Sequence, residues 1–233
     1  MRQVFFDTET TGLKDDSKIV EIAAIEANNG VPTGRRLHMF FNPQQPMDDE
    51  VIAIHGLTSD RLKNEPLFKE KASEMKKFLA GAELVAHNIA YDIGRLNYEF
   101  SFVEEGFDVR AIAGKITDTY EVAGRLLSKK IKRFSLDNLM AYYKISKDRR
   151  PRHEAMLDTE ILLDVYNFML EGIDLSKPGL EEDIPRSAVQ RLEKKVSLAR
   201  VEISAKEESA EKVFFENWPS SKNPAITKKR LSL

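Results

Sequence analysis

The sequence predicts an α/β protein built on one mixed five-stranded sheet, with helices on both faces and a helical C-terminal tail. Three strand-like runs follow one another without an intervening helix, which is typical of an antiparallel meander. Helical and strand patterns then alternate, as in β-α-β crossovers. Near residues 171–185 the periodic pattern gives way to Gly, Pro and acidic residues. We therefore expect a folded domain over residues 1–173, a linker over 174–187 and a tail over 188–233.

The strands are predicted from short apolar runs bounded by turn-forming residues. "QVFFDTE" predicts a buried first strand, and residues 18–27 and 35–43 predict the second and third. The turn-rich stretch "NNGVPTG" separates the last two, so they are expected to pair as a hairpin. "AELVAHN" and residues 114–119 predict the fourth and fifth strands, each followed by a helical pattern.

The helices are predicted from apolar residues at spacings of three and four. Residues 67–79 form the first helix, and a second follows "AELVAHN". "YEVAGRLL", "SLDNLMAYYKI" and residues 154–170 predict three more. The apolar positions that define the first, second and last helices are Phe68, Ala72, Met75, Phe78 and Leu79; Ile93, Leu96, Phe100 and Val103; and Leu157, Ile161, Val165 and Phe168.

The tail has an apolar stripe that it cannot bury by itself. "SAKE" has the form of a capping box that opens a helix. Two short amphipathic helices are too few to form a core of their own. We therefore expect the stripe to bind a partner. Its residues are Val189, Leu192, Val196, Ala199, Ala210, Val213, Phe214 and Trp218.

Composition excludes several classes of protein and of site. The chain has 233 residues, of which 42% are hydrophobic and 32% charged, as in ordinary globular proteins. It has no cysteine, which excludes disulfides and thiolate chemistry and fits a reducing cytoplasm. No run resembles a membrane helix or a signal peptide. The net charge of -2 means that any contact with nucleic acid must be local or metal-mediated.

Two carboxylates end the first strand. Asp7 and Glu9 are two residues apart, so their side chains point to the same face. Acids so close repel one another unless a cation lies between them. A solvated strand end is the alternative for this motif by itself. The "TTG" that follows, with two small hydroxyl residues and a glycine, favours a tight turn where backbone can approach a ligand.

Two further segments place acids or histidine near predicted helix starts. In "AHNIAYDIGRL", Asp92 falls in the first turn of a helix, where the helix dipole alone could account for it. In "RHEAMLDTEILLDVY", His153 and Asp158 are five residues apart and would not share a helix face. We expect His153 in a loop or first turn, near whatever Asp158 binds. Glu160 and Asp164 are expected to be solvated.

The remaining histidines have weaker signals. His38 and His87 are expected to be ordinary, satisfied histidines. His55, in "IAIHGLT", falls where the pattern predicts a loop, and a functional role for it stays open.

Taken together, the motifs resemble those of the DnaQ-like 3′–5′ exonucleases of the DEDDh group. "DTETTGL", "IHGLT", "AHNIAYD" and "HEAMLD" occur in the family's order across residues 2–170. Within the family, "GAELVAHN", "YEFS" and "SLDNL" are most similar to the proofreading epsilon subunits of bacterial DNA polymerase III. Tyr91 stands where phenylalanine is more usual, and the connection from "TTGL" to "KIVEI" is shorter than in typical members.

The resemblance implies a ribonuclease H-like fold and an active site. It assigns Asp7, Glu9, Asp92 and Asp158 to two divalent ions, Mg²⁺ or Mn²⁺, and makes His153 the general base. Hard oxygen ligands without cysteine suit these metals, and a histidine can accept a proton near neutral pH. The resemblance also implies substrate contacts from Asp7, Glu9, Thr10, Leu13, His55, Asn88, Tyr91 and Asp158.

The resemblance further implies partners. The substrate would be a DNA 3′ end, single-stranded or frayed, and the tail would bind the catalytic alpha subunit of polymerase III. A theta-like small subunit and the sliding clamp are further partners that it suggests. For the clamp, "GIDLSKPGL" lacks the usual glutamine, so a plain linker is favoured.

Two alternatives stay open. A free-standing exonuclease of RNA or single-stranded DNA, similar to RNase T or an oligoribonuclease, would have little use for the tail. A non-catalytic polymerase scaffold would not need all five catalytic positions.

Overall fold

The computed structural model describes residues 1–150 and 152–172 and has the predicted ribonuclease H-like architecture. The strands are β1 (Arg2–Thr10), β2 (Ile19–Asn28), β3 (Val31–Phe40), β4 (Glu83–Ala86) and β5 (Lys115–Asp118). The helices are α1 (Asp49–His55), α2 (Ser59–Leu62), α3 (Phe68–Leu79), α4 (Ile89–Ser101), α5 (Val109–Ile112), α6 (Thr119–Leu127), α7 (Leu136–Tyr142) and α8 (Ala155–Glu171), with a 3₁₀ turn at Lys147–Arg149. The predicted linker and tail lie outside the described residues.

The sheet has the order β3-β2-β1-β4-β5, with β1 in the centre. β1 pairs antiparallel with β2 and parallel with β4, and β4 pairs parallel with β5. The register aligns Phe5 with Val85, so β1 continues several residues beyond the end of β4. The carboxyl ends of the parallel strands therefore meet at one edge of the sheet, where ligands bind in open α/β sheets.

The β2–β3 hairpin is tighter than the sequence predicts. Asn29 and Gly30 both have positive φ, 49° and 76°, which is typical of a two-residue type I′ turn. β3 consequently begins at Val31 and not at residue 35. Pro32 can occupy this strand because β3 is at the edge of the sheet.

Two apolar layers cover the sheet. On one face, Val4 and Phe6 pack with α3 and α4, including all five predicted apolar residues of α3. On the other face, Phe5 packs with α6, α7 and α8. Its ring meets that of Tyr166 edge to face, with centroids 5.4 Å apart. Complete burial of one such side chain stabilises the fold by about 1.5–3 kcal/mol.

Several predictions about the helices were wrong, either in where a helix ends or in missing a short helix. The sequence pattern predicted a loop around His55, but this residue ends α1 and is buried. Gly56, with φ of 76°, terminates that helix in the left-handed conformation. α2 and α5 were also missed, because helices this short depend on tertiary contacts more than on periodicity. Val103 follows the end of α4 and is exposed. Within the described residues, the search for a helix able to span a bilayer found none.

Candidate active site

Three elements bring the four predicted carboxylates to one edge of the sheet. Phe5, Asp7 and Glu9 are at every second position of β1, so their side chains point to the same face of the sheet. This is the face that α8 covers. Asp158 is in the first turn of α8 and is buried. Asp92 is in the first turn of α4, just beyond the end of β4, and is also buried. The sheet topology therefore joins residues that are far apart in sequence.

Asp92 is fixed by the strand that carries its neighbours. The Thr8 hydroxyl donates a hydrogen bond to Asp92 Oδ1 at 2.6 Å. Thr8 points to the face of β1 opposite Asp7 and Glu9, so it anchors α4 without entering their space. The bond sets the position of Asp92 relative to Asp7, whose charge it repels.

Arg150 binds Asp158 in a fork. Its Nε and Nη2 donate to the two carboxylate oxygens of Asp158, and its Nη1 donates to Asp137 Oδ1 at 2.6 Å. Bidentate pairing of this kind fixes both groups in one plane. The guanidinium also lowers the cost of ionising Asp7 and Glu9. The positive charge of Arg150 thus partly compensates the negative charges of the acids.

His153 lies in the loop before α8, as predicted, at the mouth of the site. Its side chain is 45% exposed, and its Nδ1 is 3.5 Å from Asp158 Oδ2. Arg150 Nη2 is closer to the same nitrogen, at 2.8 Å. Because a guanidinium can only donate, Nδ1 accepts this bond and the neutral ring carries its proton on Nε2. The backbone N–H of His153 donates to the carbonyl of Ile54, which holds the loop against α1.

Burial and mutual repulsion perturb the acids strongly. Burial first, and then the charges of Asp92, Asp158 and Glu9, hold the pKa of Asp7 well above its usual range. Burial and the neighbouring Asp158 and Glu21 raise the pKa of Glu9 to about 8. Burial likewise raises the pKa of Asp92 to about 7.

Asp158 responds in the opposite sense. Burial alone would raise its pKa, but the neighbouring His153 and the hydrogen bonds and positive charge of Arg150 outweigh burial and lower it. Ligand atoms of Glu9, His153 and Asp158 lie within 4.8 Å of one another, a spacing that one cation could bridge. Carboxylates whose ionised forms are disfavoured by burial and repulsion gain stability when a cation binds, so this cluster is suited to a cation.

The "TTG" turn is tied to α4 by the unusual tyrosine. The Tyr91 hydroxyl contacts Thr10 Oγ1 at 2.7 Å and donates to the carbonyl of Gly12 at 2.9 Å. A Cβ on Gly12 would come within 2.7 Å of the Asp48 carboxylate. A larger residue here would therefore have to displace the exposed side chain of Asp48. Tyr91 has the added function of fixing the turn that follows the carboxylates.

Three other residues were predicted to contact substrate. Leu13, at the tip of the turn, is 81% exposed and open to a ligand. Asn88 caps α4 in the left-handed conformation with an exposed side chain that makes no capping bond. His55 Nδ1 accepts a bond from the Leu57 N–H at 3.0 Å, which places the ring proton on Nε2. Burial lowers the pKa of His55 and favours this neutral form.

The other two histidines mostly match the expectation of ordinary roles. His38 Nε2 is 2.7 Å from the buried Glu21 carboxylate, which lies opposite Glu9 on β2. His87 Nδ1 is 2.8 Å from Thr119 Oγ1, whereas its Nε2 is buried without a hydrogen-bond partner among the described residues.

Sequence reasoning missed Arg150, Thr8 and Asp118. Asp118 Oδ1 accepts bonds from the backbone N–H groups of Asn88 and Tyr120, joining β5 to the start of α4. The only signal for Arg150 was the basic run "RRPR" before the histidine motif. Nothing local marks Thr8 as a partner of an aspartate 84 residues away.

The chain matches a known family of proteins over most of the described residues. Residues 4–166 match the RNase T family of exonucleases. The chain belongs to this exonuclease family. The match covers all but the first two residues of the sheet and includes all five predicted catalytic positions, so the protein is an enzyme with the expected fold.

This exonuclease is similar to curated bacterial proteins over most of its length. It is 36% identical over 219 residues to DNA polymerase III subunit epsilon of Escherichia coli (strain K12), covering 90% of this chain and 89% of that one. It is 37% identical over 174 residues to the subunit of the same name in Rickettsia prowazekii, covering 74% and 75% of the two chains.

Among solved structures, exonuclease I has the same fold. The two superpose with a TM-score of 0.64 at 16% identity, over 73% of this exonuclease and 41% of exonuclease I. The chain thus spans about two fifths of the length of exonuclease I, and this likeness concerns the fold alone.

Proposed function

We propose that this exonuclease removes mispaired nucleotides from the 3′ end of DNA as the proofreading subunit of a bacterial replicative polymerase. The observation that carries the proposal is the convergence of Asp7, Glu9, Asp92 and Asp158 beside His153. Similarity to epsilon subunits over nine tenths of the chain supports the DNA substrate and the polymerase context. On this proposal the enzyme acts in the bacterial cytoplasm.

The donor set fits two divalent cations, Mg²⁺ or Mn²⁺. Asp7, Glu9, Asp92 and Asp158 would hold them, because carboxylates are the ligands that these hard ions prefer. Burial, with repulsion between neighbouring acids, raises the pKa values of Asp7, Glu9 and Asp92, and bound cations would favour their ionised forms. When bound, such ions neutralise phosphate charge and make water more acidic.

The protein residues then have defined tasks. His153 takes the proton of the attacking water on Nδ1, the nitrogen that Arg150 contacts in the resting site and must release, as the water oxygen bonds to phosphorus and the bond to the 3′ oxygen breaks. Its 45% exposure lets the proton pass to solvent afterwards. Leu13, His55 and Asn88 line the place of the terminal nucleotide. The products are a nucleoside 5′-monophosphate and a strand shorter by one nucleotide.

A direct test uses the purified full chain with Mn²⁺ and 5′-labelled oligonucleotides. The proposal expects stepwise loss from the 3′ end, faster at a mispaired primer terminus than at a paired one. Preference for RNA over DNA would favour an RNase T-like enzyme. Absence of any cleavage would favour a scaffold and overturn the proposal.

The acids should make stability depend on pH when no divalent cation is present. Unfolded carboxylates have pKa values near 4, whereas those of Asp92 and Glu9 are raised to about 7 and about 8. Between these values the folded state binds more protons than the unfolded state, so stability falls as pH rises. In EDTA, the melting temperature should be lower at pH 8 than at pH 5.5. Mn²⁺ should remove most of this difference, and equal melting temperatures in EDTA would contradict the electrostatic account.

The predicted tail gives a separate test of the polymerase context. An apolar stripe in the sequence of the tail consists of Val189, Leu192, Val213, Phe214 and Trp218. A stripe that a short segment cannot bury by itself is typical of a partner site. We propose that the tail binds the alpha subunit, with the linker and any theta-like subunit or sliding clamp as secondary contacts.

A chain truncated between residues 174 and 178 should therefore degrade free oligonucleotides at the full-length rate. It should fail to co-elute with the alpha subunit, whereas the tail fused to an inert carrier should bind. Undiminished binding of the truncated chain would contradict this assignment.

A further inference from the structure

The charge of this exonuclease is distributed very unevenly. The whole chain has 36 basic and 38 acidic residues, yet residues 125–153 contain ten basic and two acidic ones. The rest of the chain is therefore markedly acidic. Most of the basic side chains in this segment are exposed. A local concentration of positive charge in an acidic protein is typical of a surface that binds phosphates.

The loop between α6 and α7 presents the densest part of this charge. We call Lys129, Lys132 and Arg133 the basic ridge; all three side chains are exposed. No ion pair involves them in the described part of the chain, whereas many of the other cations pair with acids. Lys132 and Arg133 also line a shallow groove of about 480 Å³ against α7, together with Tyr142. The positive charges of the ridge are thus not used in ion pairs within the described residues.

Continuous contacts join the basic ridge to the active site. Asn88 binds Asp118, and the ring of neighbouring His87 is 5.7 Å from that of Tyr120. Tyr120 in turn contacts Phe134, at 5.8 Å between centroids, and Phe134 follows Arg133 directly. Tyr120 is 46% exposed. An aromatic row therefore leads from the predicted substrate contact at Asn88 to the ridge.

Arg150 forms a second connection between the active site and the segment that carries the basic ridge. Arg150 binds Asp158 in the site and Asp137 in the first turn of α7. Asp137 lies only four residues beyond Arg133. The segment that carries the ridge is therefore connected to the residues of the site at two points.

We propose that the basic ridge binds the phosphates of the substrate strand on the 5′ side of the cleaved nucleotide, with Tyr120 and Phe134 stacking against its bases. This proposal rests on the proposed function and specifies how the strand leaves the site. Cations that track the backbone beside aromatic rings are the usual means of holding single strands without sequence preference. An unpaired strand suits the ridge because its bases are free to stack, as they are in a frayed primer end.

The test compares two triple variants of the full-length protein. Lys129, Lys132 and Arg133 are replaced with alanine in the first. The matched control replaces Lys63, Lys69 and Lys77, three exposed lysines in or near α3, which packs on the other face of the sheet. Binding of a fluorescent single-stranded oligonucleotide with an uncleavable 3′ linkage is measured by anisotropy in Mn²⁺ over a range of salt concentrations.

The ridge variant should bind roughly 10²-fold more weakly at low salt, and its plot of log K against log salt should be shallower by about 2, as expected for three lost phosphate contacts at about 0.7 each. The control should match wild type. Hydrolysis of the p-nitrophenyl ester of thymidine 5′-monophosphate, which is too short to reach the ridge, should be unchanged in both variants.

The outcomes separate the two proposals. Unchanged oligonucleotide affinity and salt slope in the ridge variant would overturn the ridge assignment while leaving the exonuclease assignment intact. Equal loss in the control would also overturn it, because the effect would then be one of net charge. Failure of the wild type to hydrolyse either substrate would overturn the proposed function itself.

Discussion

Replacing Asp158 with alanine should abolish 3′–5′ cleavage while the fold survives. Asp158 is buried beside Glu9 and is the acid whose pKa is lowered, so it is the most fully ionised of the four, and a bound cation would replace Arg150 on its oxygens. Stabilisation of phosphate charge by a bound cation contributes several kcal/mol to the transition state. Its loss should slow turnover by about 10³-fold or more. Excess EDTA should have the same effect on the wild type.

The matched control is Asp164→Ala. Asp164 is on the same helix, but it forms an ion pair with Arg149 away from the carboxylate cluster. This variant should keep nearly full activity. If Asp158→Ala cleaves as fast as Asp164→Ala, or if the wild type cleaves undiminished in EDTA, the two-cation proposal fails.

The same cluster should yield a gain of stability when one charge is removed. Asp7 has its pKa raised by burial and by the charges of Asp92, Asp158 and Glu9. An Asp7→Asn variant keeps the shape of the side chain and removes this repulsion. In EDTA at neutral pH it should melt at a higher temperature than the wild type, although it should be inactive. Active sites commonly sacrifice stability in this way.

Replacing His153 with alanine should slow the chemical step by roughly 10²- to 10⁴-fold, the usual contribution of a general base. Substrate affinity should change little, because the imidazole is at the mouth of the site and 45% exposed. The pH–rate profile of the variant should also differ in shape from that of the wild type, because the group that accepts the proton is absent. Single-turnover rates measured across pH with saturating oligonucleotide would give this result.

Chemical rescue distinguishes catalysis from a merely structural role. Free imidazole can enter the exposed space left by His153→Ala and should restore part of the rate. A structural role, such as orienting Arg150 through the 2.8 Å contact, would not respond to imidazole. Identical pH profiles for variant and wild type would mean that another group takes the proton.

The sequence by itself determined the sheet, its flanking helices and the candidate ligands. The apolar residues of α3 and the alternation of Phe5, Asp7 and Glu9 follow from local periodicity, which each segment expresses independently of the others. The position of Asp92 in a first helical turn was also predictable, because "AELVAHN" and the apolar stripe after it define where strand ends and helix begins. The motif order then identified the family.

Only the tertiary structure decided how these groups are held and compensated. Arg150 on Asp158, Thr8 on Asp92 and Tyr91 on the glycine turn are contacts between elements. No local pattern encodes them, because they depend on sheet order and register. The burial of His55 at the end of α1 has the same origin: a helix of seven residues is too short to be stable alone and forms because its neighbours cover it. Periodicity thus reveals which segments fold, whereas the electrostatics of the site arises only when the segments meet.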